Sequence, residues 1–367
     1  MASHNRFARA WSSLVLLGLL MLVGPASASW SNPLERFYTG YNEGLQDIVR
    51  NNCSAEYASY LENRRNISNI DPQLRRFGAH SMTAQVIECI LENAPELVKT
   101  KMAAAAIVLG LAPTMIATLG VRPHDTALLS IVGRRHVLAF AIACGSPALN
   151  AYRTSEYWAA IDTLRERTSQ RSPTMRRLDP VFTVLSYTLA AASIANIGEL
   201  TYRLGAQAIF TILYDSEYLA LLWAFLGVFI HFITGLTMRM RLSSKVIPTD
   251  EEVTKGSWSL SVAKGQVDIM AHRSKIVYTV YPETVLFAIM SVITTVATAC
   301  HILFGTLVLS SIIFISINNS LSIMGRLMAS AIVCRIILIL KLLSVRENLE
   351  EATDPAVAQT SHVMSLK

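Results

Sequence analysis

Five apolar stretches of about 20 residues each constrain this chain more strongly than any other feature of its sequence. An α-helix rises about 1.5 Å per residue, so about 20 residues cross the roughly 30 Å hydrocarbon core of a bilayer. The stretches predict membrane-spanning helices at residues 102–120, 181–202, 218–238, 284–305 and 321–343. The predicted fold class is therefore all-α, a polytopic transmembrane helix bundle that occupies residues 102–343.

The overall composition favours a bilayer as the solvent of this chain. Of its 367 residues, 52% are hydrophobic and 16% are charged, whereas about a quarter of a typical soluble domain is charged. The formal net charge of +6 comes from lysines and arginines that lie in the loops between apolar stretches rather than in one patch. This distribution indicates membrane topology, so the predicted partner is the lipid bilayer and no nucleic-acid partner is predicted.

The N-terminus has the pattern of a secretory signal peptide. Arg6 and Arg9 precede an apolar core at residues 14–23, and the small residues at 26–28 form a cleavage site of the A-x-A type. We predict that residues 1–28 are removed, and an uncleaved signal anchor is the alternative. In both cases the chain after this segment begins outside the cytoplasm.

Residues 29–101 predict a small helical extracytoplasmic domain. The segment is polar and helix-prone, and Asp71 precedes a proline as an N-cap precedes the first helical residue. Met82, Val86 and Ile90 are spaced to form one apolar stripe on a helix. We therefore expect a few short helices in this domain.

Two cysteines and two glycosylation sequons lie in the same domain. Cys53 and Cys89 are its only cysteines, so we predict a disulfide bond between them, with two buried free thiols as the alternative. A bridge over about 35 residues stabilises a fold by about 3–4 kcal/mol in the loop-entropy model. The sequons begin at Asn52 and Asn66. Asn66 is the better glycosylation site because Cys53 is the middle residue of the other sequon.

The distribution of positive charge determines how residues 124–150 are interpreted. If this short apolar stretch crossed the membrane, loop 151–180 with six arginines and loop 239–283 with seven lysines and arginines would both lie outside. That arrangement contradicts the positive-inside rule. We therefore predict a re-entrant or interfacial hairpin at 124–150 and a cytoplasmic loop at 239–283.

The predicted topology has five spans, an outside N-terminus and a cytoplasmic C-terminus. Residues 306–317 are apolar, so they either extend the fourth span or form a short hairpin, and six spans are the alternative. The tail at 344–367 is acidic and then polar, and we predict that it is disordered. The predicted location is an integral membrane position in the secretory pathway, at the plasma membrane or an endomembrane.

The cytoplasmic loop 239–283 contains a strand-like pattern. Apolar residues alternate with small or polar ones on both sides of Lys264 and Gly265, which predicts a β-hairpin with a two-residue turn. Residues 276–281 are rich in valine and tyrosine and predict a further strand. Such a sheet is either a partner-binding surface or simply a folded loop.

The short motifs that carry catalytic mechanisms are absent from the sequence, including HExxH, GxSxG, a P-loop and GxGxxG. Its five cysteines form no CxxC pair and no cluster with histidine. No catalytic residue, metal ligand or cofactor is therefore predicted. A membrane-embedded enzyme is the least favoured class, and its only weak candidates are His124, Asp125 and His136.

Polar residues within the predicted spans are the candidate functional residues. An ionisable group in a span costs about 2.5–3.5 kcal/mol on insertion scales, so it usually faces other helices or water. The candidates are Glu199, Arg203, His231, His301 and Arg335.

Each candidate also has a structural interpretation. Glu199 and Arg203 are four residues apart and can form an ion pair along one helix face. Arg326 lies near the outer end of the last span and can snorkel to the interface. Arg335 lies deeper, so a partner is expected, and Glu283 is the predicted one. The two histidines are more often neutral residues bonded to a backbone carbonyl than proton carriers or metal ligands.

Four short blocks of the sequence are distinctive. The blocks are ELVKTKM at 96–102, LGLAPT at 109–114, GSPA at 145–148 and MASAIVCR at 328–335. With them the chain resembles a family of uncharacterised multi-pass membrane proteins of filamentous fungi. The resemblance implies the architecture and a fungal secretory-pathway setting, and it assigns no catalytic residue.

Two functional classes compete on this evidence. The first is a receptor-like or scaffold protein that presents the disulfide-bonded outer domain and the cytoplasmic loops to protein partners. The alternative is a transporter or channel-like protein with a polar path through the bundle, because the irregular sequence at 145–147 could line a cavity at membrane depth. No sequence feature identifies a substrate or a ligand.

Overall fold

The computed structural model of the chain describes most of the residues between Leu34 and Glu351. The described residues are 34–65, 68, 70–147, 149–150, 179–247, 275–346 and 349–351. The predicted signal peptide at 1–28, the sequon residue Asn66, the predicted turn at 264–265 and the end of the tail lie outside the described residues.

Four short helices of the described chain precede the first long helix, and we call residues 34–94 the N-terminal module. Its helices are α1 Asn42–Asn51, α2 Ser54–Glu62, α3 Pro72–Arg76 and α4 Met82–Asn93. As predicted, Asp71 caps α3, because its side chain accepts a hydrogen bond of 2.7 Å from the backbone N–H of Gln73.

The predicted apolar stripe of α4 forms the centre of the module's core. Met82, Val86 and Ile90 are all buried. They belong to one apolar cluster with Phe37 at the start of the module and with Phe314 from the last connection between long helices. The rings of Phe37 and Phe314 meet edge to face with centroids 5.5 Å apart.

The remaining elements follow in chain order. They are α5 Glu96–Leu119, α6 Pro123–Ile131, α7 His136–Gly145, α8 Asp179–Gln207, β1 Ile209–Phe210, α9 Leu219–Arg241, β2 Leu242–Ile247, β3 Lys275–Val280, α10 Val285–Ser310, β4 Ile312–Ile313, α11 Ile317–Arg346 and β5 Leu349–Glu351. Because the strands are few and short, the described chain is all-α in class, as predicted.

Five helices of the described residues are long and apolar enough to cross a membrane, namely α5, α8, α9, α10 and α11. The shortest of them, α9, has 23 residues. At about 1.5 Å per residue this exceeds the roughly 30 Å hydrocarbon core of a bilayer. Each helix corresponds to one predicted span. The chain is therefore a multi-pass membrane protein, and its natural environment is a lipid bilayer.

Residues 124–150 form two short helices, α6 and α7. With 9 and 10 residues, neither helix is long enough to cross a bilayer. Every residue of α6 except Asp125 is buried. The two ends of the hairpin meet in a parallel bridge between Val121 and Leu149. A helical hairpin therefore forms here, and its re-entrant or interfacial position remains a prediction.

The connection at residues 306–317 follows the first of its two predicted alternatives. The fourth long helix, α10, continues to Ser310. The chain then forms β4, which pairs antiparallel with β1 so that Ile313 lies opposite Ile209. Phe314 has a φ of +62°, in the left-handed region where the chain can turn before α11 begins. The described residues therefore contain five spanning helices rather than six.

A three-stranded sheet is formed by β2, β3 and β5. Strand β3 pairs antiparallel with β2 and parallel with β5, and it matches the predicted strand at 276–281 to within one residue. The prediction of disorder from residue 344 is wrong for the start of the tail. Helix α11 continues to Arg346 and Leu349–Glu351 form β5, because pairing with β3 satisfies the backbone hydrogen-bonding groups of these residues.

The chain divides into two compact units. The first, here called the module unit, comprises the described parts of residues 1–116, 196–226 and 301–329. The second, here called the hairpin unit, comprises those of residues 117–195, 227–300 and 330–367. The core of the hairpin unit includes Leu128 of α6, Leu138 of α7, Tyr278 of β3 and Cys334 of α11.

Candidate functional site

Asp215 collects three side chains of the N-terminal module. It lies in the loop 211–218 between β1 and α9. One of its carboxylate oxygens accepts hydrogen bonds from Arg64 Nε at 3.1 Å, Ser81 Oγ at 3.1 Å and Thr83 Oγ1 at 2.8 Å. A carboxylate is well suited to this arrangement because it only accepts and can accept from several donors. We call these four residues the Asp215 hub.

Two further contacts bind the module to the same loop. The hydroxyl oxygen of Tyr214 accepts a hydrogen bond of 2.7 Å from the backbone N–H of His80. The carboxylate of Glu217 lies 3.6 Å from the guanidinium group of Arg64. Any side chain at Gly205 would collide with the backbone carbonyl of Glu217, so α8 approaches the loop closely only because this residue is glycine.

Arg64 also lies over the ring of Tyr60, with 5.4 Å between the guanidinium carbon and the ring centroid. Burial raises the pKa of the Tyr60 hydroxyl to about 12, although the charge of Arg64 acts in the opposite direction. The ring of Tyr60 thus extends the contact that the Asp215 hub forms between the module and the loop.

Glu199 holds two arginines together on α8 and α11. It pairs with Arg203, one turn further along α8, at 2.5 Å, and it also pairs with Arg326. The structure thus contains the ion pair that the spacing of Glu199 and Arg203 predicts. Arg326 donates from Nε to the Asn196 side-chain oxygen at 2.7 Å, so it is held by α8 rather than snorkelling alone.

The module residue Tyr38 lies within electrostatic reach of this charged cluster. Burial raises the pKa of the Tyr38 hydroxyl, whereas the positive charges of Arg203 and Arg326 lower it. The side chains of the cluster remain partly exposed. Ion pairs with this exposure contribute little to stability, so the cluster orients side chains more than it stabilises the fold.

His301 of α10 is bonded to a backbone carbonyl, as its structural interpretation predicts. Its Nε2 lies 2.9 Å from the carbonyl oxygen of Trp223, and its ring stacks on the indole with centroids 5.6 Å apart. Both side chains are buried. Within the described residues, Nδ1 of His301 and Nε1 of Trp223 have no hydrogen-bond partner.

His231 of α9 bonds to a hydroxyl group, and the prediction of a backbone carbonyl is wrong for this residue. Its Nδ1 lies 2.8 Å from Thr126 Oγ1 in α6. The Thr126 hydroxyl donates its single hydrogen to the carbonyl oxygen of Pro123 at 2.7 Å. This bond joins α9 to α6, and its direction follows from the tautomer of His231.

Arg335 of α11 donates from Nη1 to the backbone carbonyl oxygen of Thr118 at 2.8 Å. The predicted partner Glu283 is wrong, because Glu283 pairs with Arg241 at 3.0 Å. Thr118 lies in the last turn of α5, where carbonyl groups have no partner within the helix. The cation of Arg335 therefore satisfies a helix end instead of a carboxylate.

Two buried cations of the hairpin unit were not among the sequence candidates. Lys341 of α11 donates to Thr183 Oγ1 at 2.7 Å. Arg135, before α7, lies within electrostatic reach of the side chain of Tyr187. Both cations are buried. They escaped the sequence analysis because they flank apolar stretches, where a long basic side chain is expected to reach water.

The structure contains the predicted disulfide bond between Cys53 and Cys89, with 5.9 Å between their Cα atoms. Beside it, the side-chain amide of Asn52 donates to the Asn93 side chain at 3.1 Å. This bond occupies the nitrogen atom to which a glycan would be attached, in keeping with the preference for Asn66. Glycosylation at either position remains a prediction.

The contacts described for His124, Asp125 and His136 do not bring these three weak enzyme candidates together in a catalytic arrangement. His124 lies 3.7 Å from its neighbour Asp125, whereas His136 bonds through Nδ1 to Ser130 Oγ at 2.8 Å. Among the described residues, no group of three or more histidine, cysteine, aspartate or glutamate side chains could hold a metal ion.

Comparisons with known proteins identify no relative of this chain, so its function must be inferred from the geometry of the site. No family model matches the chain, and no curated protein or solved structure is significantly similar to it. The class of protein that the structure defines is therefore a multi-pass integral membrane protein with a disulfide-bonded N-terminal module.

Proposed function

We propose that this chain is a receptor-like or scaffold protein that presents its N-terminal module to protein partners outside the cytoplasm. The Asp215 hub is the observation that carries the proposal. Through it, Arg64, Ser81 and Thr83 are fixed to the loop that enters α9. A surface held in one conformation binds with a smaller loss of conformational entropy than a flexible one.

The bonds of the membrane helices also favour this proposal over transport. Arg335, His231 and Lys341 are each engaged with a carbonyl or hydroxyl group of a neighbouring element. In hydrocarbon, such bonds join helices because an unsatisfied polar group is costly there. These bonds join neighbouring elements, which supports a packed bundle over a polar path.

A transporter or channel-like protein is the second candidate function, and one observation favours it. The unpartnered Nδ1 of His301 and Nε1 of Trp223 lie in stacked, buried rings. Buried polar atoms without protein partners are often satisfied by water. A hydrated site beside these two residues would be the start of a polar path.

Thiol accessibility tests the two functions against each other. In proteoliposomes treated with a charged maleimide on both faces, a sealed bundle leaves the exposed Cys300, which then faces lipid, and the buried Cys334 unlabelled. Labelling of both at the rate of a control thiol, placed by Glu283→Cys at an exposed position, would overturn the receptor or scaffold proposal. Denatured protein must label at both native cysteines.

Proximity labelling tests the presentation of the module directly. A labelling enzyme fused ahead of residue 34 should mark a reproducible set of proteins in intact cells. That set should shrink several-fold when Asp215→Ala breaks the hub and remain unchanged in the control Glu96→Gln, which removes an exposed ion pair with Lys99. The same set from wild-type and Asp215→Ala proteins would contradict the proposal.

The proposal includes a secretory-pathway location, at the plasma membrane or an endomembrane, and membership of the fungal membrane-protein family that the sequence blocks resemble. The signal-peptide pattern at 1–28 and the sequons at Asn66 and Asn52 support the location. N-terminal sequencing of the mature protein should begin after residue 28. Glycosidase treatment should reduce its mass, and Asn66→Gln should abolish most of that change.

A further inference from the structure

Helix α3 displays an exposed aromatic residue on a rigid support. Phe77 follows the helix and is 92% exposed. The helix ends in a Schellman motif, in which Gly78 N–H donates to Arg75 O at 3.1 Å and Ala79 N–H donates to Leu74 O at 3.0 Å. Gly78 has a φ of +91°, which a glycine adopts without strain. With Asp71 capping the other end, the position of Phe77 is well defined.

Phe77 lies three residues from a bond between the module and the loop 211–218. His80 is bonded to Tyr214 through its backbone N–H. Phe77 is three residues away, so the Cα atoms of Phe77 and His80 are at most about 11 Å apart. The exposed ring is therefore in the neighbourhood of the residues that flank Tyr214 in the loop.

The loop 211–218 must lie at the surface of the bilayer. Helix α9 begins directly after the loop at Leu219, and the first charged residue of α9 is Arg239. The rise between these two residues is about 30 Å, which equals the thickness of the hydrocarbon core. Leu219 therefore marks one edge of the hydrocarbon, and the loop occupies the adjoining headgroup layer.

The exposed apolar surface continues from α9 into this loop. Leu221 and Tyr218, at the start of α9, are about half-exposed, as lipid-facing side chains are. Ile212 and Leu213 in the loop are exposed to the same extent. Large apolar side chains with this exposure are disfavoured in water and favoured at a membrane interface.

The charge around Phe77 suits the same environment. Between residues 64 and 80 there are four arginines and one aspartate, a net charge of +3 with histidine neutral. Two of these arginines, Arg75 and Arg76, are exposed beside Phe77. Guanidinium groups bind phosphate oxygens, and phosphates line the headgroup layer.

We propose that Phe77, Ile212 and Leu213 form an interfacial edge by which the N-terminal module inserts into the surface of the phospholipid bilayer, with Arg75 and Arg76 at the lipid phosphates. The continuity of this edge with the lipid-facing side of α9 favours lipid over a protein partner as the occupant. The inference does not depend on whether the module acts in a receptor, a scaffold or a transporter.

Fluorescence quenching by brominated lipid tests the interfacial edge. Phe77→Trp is made in the full-length protein, which is reconstituted in nanodiscs of phosphatidylcholine with or without bromine on the acyl chains near the headgroup. The fluorescence added by the new residue, relative to the parent protein, should fall by about twofold in brominated lipid and shift to shorter wavelength, because the ring lies at the interface.

Glu88→Trp is the matched control, since Glu88 is an exposed residue on α4 of the same module. Its added fluorescence should be equal in the two lipids. Leu213→Trp provides a second probe, and formation of the Cys53–Cys89 disulfide reports folding of each variant. Equal fluorescence in both lipids at 77 and 213, with quenching by acrylamide in water, would overturn the proposal and leave that face open to a protein partner.

Discussion

The two units of the molecule satisfy their cations in different ways. In the module unit, Arg64 pairs with Asp215 and Arg326 pairs with Glu199, both of them carboxylates at partly exposed positions. In the hairpin unit, Arg241 also pairs with a carboxylate, that of Glu283, but Arg335 donates to a backbone carbonyl and the buried Lys341 to a hydroxyl group. The module unit should therefore respond to changes of charge, whereas the hairpin unit should respond to changes in helix position and hydroxyl groups.

The largest effect is expected from removal of the disulfide bond. Replacing Cys53 and Cys89 with alanine releases a crosslink over a sequence separation of 36 residues. The loop-entropy model assigns such a crosslink about 4 kcal/mol. Chemical unfolding followed by hydrogen exchange should show this loss in the module, while the amides of α6 and α7 keep their protection. Equal loss of amide protection in both units would contradict a local effect of the disulfide bond on the module.

Breaking the Asp215 hub should have the next largest effect. Asp215→Ala leaves Arg64, Ser81 and Thr83 without their shared acceptor, and hydrogen bonds to charged groups contribute about 1.5–3 kcal/mol. We expect a loss of about 2–3 kcal/mol in the stability of the module. Asp215→Asn keeps an acceptor oxygen and is the matched control. The idea fails if both substitutions have the same small effect on the unfolding free energy.

Alkaline pH should weaken the module unit through Tyr60. Its pKa is raised to about 12 in the folded protein, against about 10 in the unfolded chain. The folded state holds this proton more tightly, so the stabilisation is complete below pH 10 and is lost as the pH rises through about 12. Unfolding measured from pH 9 upward should show this slope, and Tyr60→Phe should reduce it, whereas the raised pKa of Tyr38 keeps a further contribution. An unchanged slope in Tyr60→Phe would assign it to another group.

In the hairpin unit, loss of the hydroxyl group that binds Lys341 should reduce stability. Thr183→Val removes the oxygen that accepts from buried Lys341, and we expect a loss of about 1–2 kcal/mol. Thr188→Val, at an exposed position of the same helix, is the control. Thermal unfolding in lipid nanodiscs measures both, and equal midpoints for the two variants would contradict the importance of the Lys341 bond.

The smallest effect is expected at the exposed ion pairs. Glu199→Gln weakens its contacts with Arg203 and Arg326, and partly exposed pairs of this kind contribute little to stability. Glu96→Gln, in the more exposed pair with Lys99, should change stability by less. High salt should reduce the difference between the two variants because exposed charges are screened. A loss of stability for Glu199→Gln as large as that for Asp215→Ala would require a more buried cluster.

Much of the fold could be predicted because its signals are local in the sequence. The five spans follow from the length of apolar stretches, the cap at Asp71 from the proline after it, and the pair of Glu199 and Arg203 from a spacing of four residues. Each of these signals is contained within one helix or at its start. Physical rules for helices and bilayers therefore suffice to find them.

The contacts that define the candidate site could not be predicted in the same way. Asp215 is 132 residues from Thr83, and Arg335 is 217 residues from Thr118. No periodicity or charge pattern connects positions so far apart. For Arg335, the search for a carboxylate partner led to Glu283, whereas the partner is the unsatisfied carbonyl of a helix end. Every residue has a backbone carbonyl group, so the residue types do not indicate which of these groups accepts a hydrogen bond.

The Cys53–Cys89 bond also depends on the compartment in which the module folds. Disulfide bonds persist where the surroundings are oxidising and are rare in the cytosol. A chain inserted in the reverse orientation would keep two thiols in place of the bond, and its module would lose the crosslink that supports so small a core. In the orientation that we propose, the bond would thus distinguish the two topologies, because only molecules whose module lies outside the cytoplasm would acquire it.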